Sequence, residues 1–143
     1  MWQQLVEQYS SSVTCHAPVS KSQLELAESE LRIGFPEGLR SCLLESDGIE
    51  GEHSLALVWP LLRIVEDNKL FRGKSEFKEL YMPFDSLLFF GDAGNGDQFA
   101  FPIVGGRVRK DVFVWNHEDD SRSWVAPSLA KFLEWWLTGE LKI

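Results

Sequence analysis

Residues 87–101 constrain the fold of this chain more than any other segment. Two apolar, aromatic-rich runs at 87–90 and 99–101 flank a stretch composed almost entirely of Gly, Asn and Asp. The runs predict buried strands, and the stretch between them predicts a turn with positive φ at several residues. A second β-run at 112–115 leads into another acidic segment. The sequence therefore predicts antiparallel strands that end in two acidic loops.

The N-terminal third predicts three helices. Apolar residues recur at helical spacing over 2–13. Ser22 followed by Glu25 predicts a capping box for a second helix, which Gly34 would end. A third helix is expected between Pro36 and Gly48. The residues expected to face the core on the second and third helices are Leu24, Ala27, Leu31, Leu39, Cys42 and Leu43.

The middle of the chain alternates between strand and helix signals. A strand is predicted over 55–59 and is closed by Pro60, and apolar spacing predicts a fourth helix over 61–71. Residues 73–80 are mostly polar, which favours a mobile loop.

Further strands are predicted at 86–90, 97–103 and 107–115, with Gly105 and Gly106 in a tight turn between the last two. Pro102 favours a bulge or an edge position there.

An amphipathic helix closes the chain. Its inner face is formed by Leu129, Phe132, Leu133, Trp136 and Leu137. Phe99 and Phe101 alternate with polar or small residues and are expected to pack beneath this helix. These elements predict an α+β fold in a single domain over 1–143. Its central, mostly antiparallel meander would be flanked by N-terminal helices and the C-terminal helix.

Charge and composition exclude several function classes. The net charge is −8, which argues against a nucleic-acid binder because phosphate contacts require surplus Lys and Arg. Residues 1–53 alone carry nine acidic and three basic side chains. No apolar run is long enough to span a membrane, and the N-terminus lacks the pattern of a secretory signal. Two cysteines do not form a disulfide framework. We therefore expect a cytosolic protein with two reduced thiols.

The order of several motifs resembles the SUKH superfamily, which contains fungal cell-wall-assembly regulators and many bacterial immunity proteins. The residues that carry the resemblance, over about 22–140, are Glu28, Ile33-Gly34-Phe35-Pro36, Gly48, Trp59, Ile64–Asn68, Phe90-Gly91, Asn95-Gly96-Asp97, Trp115, His117 and Ser128. The resemblance implies a mixed α+β fold with a mostly antiparallel sheet. The family has no shared catalytic set, so the resemblance assigns no catalytic residue to this chain. Bacterial members often neutralise a polymorphic toxin in the cytoplasm.

The sequence contains no complete catalytic or cofactor-binding motif. The Gly91, Gly94 and Gly96 loop runs into a strand rather than a helix, so it does not predict a phosphate site. Asx turns explain Asp92, Asn95 and Asp97 better than calcium binding does, although cation binding stays open. The three histidines lack zinc spacing, and a fixed hydrogen bond is expected for His117. Two Ser-x-x-Lys matches, at 75–78 and 128–131, lack the companion motifs of acylating enzymes. No cofactor, metal or catalytic residue is predicted.

The resemblance, together with the acidic charge, implies a cytosolic immunity protein that binds a basic toxin domain, such as a nuclease, through acidic surface. The residues predicted to bind this partner are Asp92, Asn95, Asp97, Glu118, Asp119, Asp120 and Trp135. Trp135 is included because it precedes the inward-facing Trp136 and should be partly exposed. The alternatives are an interaction or scaffold module of the same family and, less favoured, a small metal-dependent hydrolase. The oligomeric state stays open.

Overall fold

Six helices and eight strands make up the fold in a computed structural model of residues 1–143. The helices are α1 (Trp2–Tyr9), α2 (Lys21–Leu31), α3 (Glu37–Glu45), α4 (Leu61–Gly73), α5 (Ser75–Leu80) and α6 (Leu129–Thr138). The strands are β1 (Thr14–Cys15), β2 (Ile49–Glu50), β3 (Ala56–Val58), β4 (Leu87–Asp92), β5 (Gln98–Val104), β6 (Arg107–Val108), β7 (Val112–Trp115) and β8 (Arg122–Ala126). Single 3-10 turns occur at Glu52–Ser54 and Phe84–Ser86. No helix combines the length and the apolar character needed to cross a membrane.

All strand pairs are antiparallel and form two sheets. The small sheet has the order β1-β2-β3, and the large sheet has the order β4-β5-β7-β8 with β6 beside β5. The two sheets meet where the backbone N–H of Trp59 donates to the carbonyl of Phe90 at 2.7 Å. The predicted α+β class, antiparallel meander, N-terminal helices and closing helix are confirmed.

Strand β4 is buried along Leu87–Gly91, and its outer edge is hydrogen-bonded by side chains of α4. Asn68 donates to the carbonyl of Phe89 at 2.9 Å and accepts from its N–H at 2.9 Å. Arg72 donates to the carbonyl of Leu87 at 3.1 Å. A Cβ on Gly91 would lie 2.2 Å from the carbonyl oxygen of Leu57, so only glycine lets the two sheets approach this closely.

The large sheet buries an aromatic cluster on each face. On one face, Phe90 stacks on Phe101 with ring centroids 4.4 Å apart, and Phe99 lies 4.4 Å from Phe132 of α6. The predicted burial of Phe99 and Phe101 near α6 is confirmed. The opposite face carries the rings of Phe71, Phe77, Tyr81, Phe84, Phe89 and Trp115.

The corner between α2 and α3 depends on Glu28. Its carboxylate accepts the N–H of Phe35 at 2.6 Å and pairs with Arg40 of α3. The expected core residues of both helices are buried. The predicted capping box at Ser22 is wrong, because Ser20 caps α2 and makes the reciprocal bond with Gln23.

Several predicted boundaries are also wrong. Residues 73–80 are not a loop, because the segment contains α5, and Phe77 anchors α5 by packing against Phe71 at 5.1 Å. The predicted strand 107–115 is two strands, β6 and β7, with an interruption at 109–111. The predicted Gly105-Gly106 turn is confirmed, and both residues have positive φ. The first helix ends at Tyr9 rather than at residue 13, and α2 ends at Leu31 with Arg32 in the left-handed conformation.

Replacing Asn68 by alanine tests the edge of β4. The Asn68→Ala variant leaves the buried N–H and carbonyl of Phe89 without partners, which should lower the free energy of unfolding by about 2–5 kcal/mol. The neighbouring Lys69→Ala variant loses only an exposed ion pair with Glu30. Its free energy of unfolding should change by about 0.5 kcal/mol. Urea denaturation measures both values. Equal effects of the two substitutions would contradict this role for Asn68.

Candidate functional site

The two acidic loops predicted from the sequence meet at one end of the large sheet. Gln98 pairs with Trp115, so the hairpin tip (residues 92–97) and the acidic loop (residues 116–121) are neighbours. One carboxylate oxygen of Asp97 accepts the backbone N–H of His117 at 3.1 Å and lies 2.6 Å from its Nδ1. Because an ionised carboxylate only accepts, Nδ1 carries the proton. Together the two loops form one surface, called here the two-loop surface.

Glycine and asparagine shape the hairpin tip as the sequence predicts. Gly94 and Gly96 have φ values of +95° and +98°. The side-chain oxygen of Asn95 accepts the N–H of Asp97 at 3.0 Å, which is an Asx turn. The backbone conformation thus accounts for Asn95 and both glycines.

Asp92 is neutralised by Arg63 of α4. Two parallel hydrogen bonds of 2.7 and 2.9 Å join the guanidinium to the Asp92 carboxylate, and Asp67 accepts a third at 3.0 Å. Burial alone would lower the pKa of Arg63, but the two carboxylates hold that pKa above its usual value. The guanidinium also lies 4.2 Å from the ring centroid of Trp59. This network ties the hairpin tip to α4.

Asp120 is equally engaged within the fold. Its carboxylate accepts from the backbone of Met82 at 2.8 Å, from the indole of Trp115 at 2.8 Å and from Arg122 at 3.1 Å. Burial opposes ionisation, yet these bonds hold the pKa of Asp120 below its usual value. Arg122 also donates to the carbonyls of Met82 and Pro83. Asp120 therefore fastens the acidic loop to residues 82–83.

Glu118 and Asp119 are the exposed carboxylates of the two-loop surface, and neither forms an ion pair. The side chain of Asn116 accepts the N–H of Glu118 at 2.8 Å, and that of Asp119 accepts the N–H of Ser121 at 2.9 Å. The bond from Ser121 lowers the pKa of Asp119. The loop backbone is thus fixed while both charges face solvent.

Three tryptophans are partly or largely exposed, and only Trp135 was expected to be so. Trp135 is half-buried on α6 and is not part of the two-loop surface. The most exposed tryptophan is Trp124, at 51%, on the edge strand β8, where its indole donates to Asp111 at 2.8 Å. Sequence reasoning missed it because no strand was predicted after residue 115. The available signal was the pair Trp124-Val125, two residue types that favour strands, shortly after the acidic loop.

Titratable side chains do not assemble into a metal centre. No three His, Cys, Asp or Glu side chains converge on a position that could hold a metal ion. His16 contacts Glu50, whereas His117 is bound by Asp97, as the sequence predicted. Burial raises the pKa of both cysteine thiols. Ser128 caps α6 by accepting the N–H of Lys131 at 3.2 Å.

A comparison with protein families decides the relationship of the chain. The family model SUKH_6, described as SMI1-KNR4 cell-wall, matches residues 21–133. The chain belongs to the SUKH family. No curated protein matches this SUKH chain significantly.

The motifs that carried the SUKH resemblance hold the fold together. Glu28 binds the backbone of Phe35, Asn68 binds that of Phe89, and Gly91 permits the approach of Leu57. Gly48 has φ +91°, and a Cβ there would lie 2.9 Å from the backbone of Val58. These contacts are internal, so the residues that carry the family resemblance support the scaffold rather than the exposed charges of the two-loop surface.

Replacing Gly106 or Gly96 by alanine distinguishes the effect of backbone strain from the effect of steric crowding on the stability of this SUKH protein. In Gly106→Ala the new Cβ has no atom within 4 Å, so only the φ of +76° is unfavourable. This should lower the free energy of unfolding by about 1–2 kcal/mol. In Gly96→Ala the φ is +98°, and the new Cβ would lie 2.8 Å from the ring of His117, which Asp97 holds in place. This variant should lower the free energy of unfolding by about 2–5 kcal/mol. Urea denaturation compares the two variants. Equal losses would contradict the packing of His117 on the hairpin tip.

Proposed function

We propose that this SUKH protein is a non-catalytic immunity protein that captures a basic toxin domain, for example a nuclease, in the cytoplasm. The observation that carries the proposal is the pair of unpaired carboxylates, Glu118 and Asp119, on a loop whose backbone is fixed by hydrogen bonds. Family membership supports an immunity-type role, since the SUKH resemblance implies toxin neutralisation. The net charge of −8 supports a partner of opposite charge.

Electrostatics explains why such a surface suits a toxin inhibitor. Complementary charge accelerates encounter and selects the partner, and a rigid loop loses little conformational entropy on binding. The two exposed carboxylates would meet Lys or Arg side chains of the partner. Asp92, Asn95, Asp97 and Asp120 would contribute by holding these loops in place. Trp135 stays a candidate anchor outside the two-loop surface.

The double reversal Glu118→Lys with Asp119→Lys tests the proposal. Asp120 is excluded from the reversal because its three hydrogen bonds support the fold. The partner is the protein captured from native cells, or the product of a neighbouring gene that encodes a modular toxin. The variant should associate with it about tenfold more slowly at low salt, and the salt dependence should weaken, because rim charges act mainly on the on-rate. Stopped-flow or biosensor kinetics measure both quantities.

The control variant is Glu66→Lys with Glu140→Lys, which makes the same change of charge at two exposed residues outside the two-loop surface. It should retain most of the association rate and the protection of cells that express the toxin. Equal slowing by both double variants would show that only net charge matters. A partner that is not basic, or that has no toxicity to neutralise, would favour the scaffold function instead.

A further inference from the structure

Arg72 differs from the other half-buried arginines of the chain. Arg40 pairs with Glu28, Arg63 with Asp92, and Arg122 with Asp120. Arg72 has no carboxylate partner. It donates Nη2 to the carbonyl of Leu87 at 3.1 Å, and its Nε is buried without an acceptor.

The missing partner has an electrostatic consequence. A guanidinium that is partly withdrawn from water without an ion-pair partner loses hydration free energy, and its one hydrogen bond to the carbonyl of Leu87 restores only part of it. Burial accordingly lowers the pKa of Arg72, whereas paired carboxylates raise the pKa of both Arg40 and Arg63. Arg72 is therefore a half-buried cation to which an anion can be added without displacing a carboxylate of the fold.

Arg72 lines a cavity of about 280 Å³ between α4, α5 and the segment before β4. The rings of Phe71, Phe77 and Phe84 form its apolar walls. Met82 and Pro83 form its lip, and this lip is held in place by the bonds from Asp120 and Arg122. The volume suits a ligand with a single ring or a branched aliphatic group beside its charged group.

Two other charged residues line the cavity and set the charge of the ligand. Lys78 is exposed at the cavity and forms no ion pair. Asp85 also lines it, beyond ion-pair distance from Arg72, although its field acts to raise the pKa of Arg72. Two cations and one anion leave a net charge of +1, which matches a single carboxylate.

We propose that this cavity binds the carboxylate of a monoanionic ligand with an aromatic or branched apolar body, held by Arg72 and Lys78 between the phenylalanine rings. A free organic acid and the C-terminal carboxylate of a polypeptide that ends in an apolar residue share this chemistry. The site does not depend on the capture of a toxin, because none of its cationic residues belongs to the two-loop surface.

Matched probes test the site and distinguish the two sources. The free acid is represented by 3-phenylpropionate, and the C-terminus by N-acetyl-Gly-Gly-Phe with a free carboxylate. The neutral controls are 3-phenylpropionamide and the peptide amide. In NMR titrations of the full chain, at least one acid should bind saturably, with contacts between its ring and Phe77 or Phe84. Its amide should bind at least tenfold more weakly. The acid that binds identifies the source.

Variants that are expected to weaken or to tighten binding of the acid complete the test. Arg72→Gln should abolish binding of the acid, and Lys78→Gln should weaken it several-fold. Asp85→Asn should tighten it, because a competing negative charge is removed. Arg109→Gln, an exposed arginine outside the cavity, should have no effect. If Arg72→Gln fails to fold, the Lys78 and Asp85 variants still decide the outcome. The proposal is overturned if acid and amide bind equally, or if neither acid saturates below about 10 mM.

Discussion

The burial of strand β4 is the constraint on which the rest of the structure depends. Both faces of Leu87–Gly91 are covered by aromatic clusters, so its backbone groups cannot turn to water. On the outer edge, Asn68, Arg72 and the backbone of Trp59 provide the missing partners. These bonds fix α4 and the small sheet against the large one. They also place Arg72 beside the cavity and Arg63 beside Asp92, so the proposed ligand site and the hairpin tip share one support.

The acidic residues of this SUKH protein divide into two kinds. Asp92 and Asp120 pair with Arg63 and Arg122, and Asp97 is hydrogen-bonded to His117, so all three carboxylates are engaged inside the fold. Glu118 and Asp119 are exposed and form no ion pair, although the carboxylate of Asp119 accepts the backbone N–H of Ser121. The carboxylates that define the loops and those proposed to meet the toxin are therefore different residues.

Local patterns predicted the parts of the fold that depend on neighbours in sequence. The alternation around Phe99 and Phe101, the positive φ at Gly94 and Gly96, and the stripe of α6 all follow from spacing and residue type. Helix α5 was missed because its polar sequence hides Phe77, whose anchoring rings come from distant segments. The structural roles of Asp97 and Asp120 could not be predicted from the sequence either. Their partners, His117 and Met82, lie 20 and 38 residues away, and no local pattern reports such contacts.

Hydrogen–deuterium exchange of the protein alone and with its captured partner tests the central claim most directly. The claim is that the two-loop surface, on its scaffold of internal ion pairs, is where the partner binds. The account predicts new protection of backbone amides in the hairpin tip and the acidic loop, with α2 and α3 unchanged. Protection confined to α2 and α3, where Glu25, Glu30 and Glu37 lie, would contradict it and would assign the interface to the N-terminal helices.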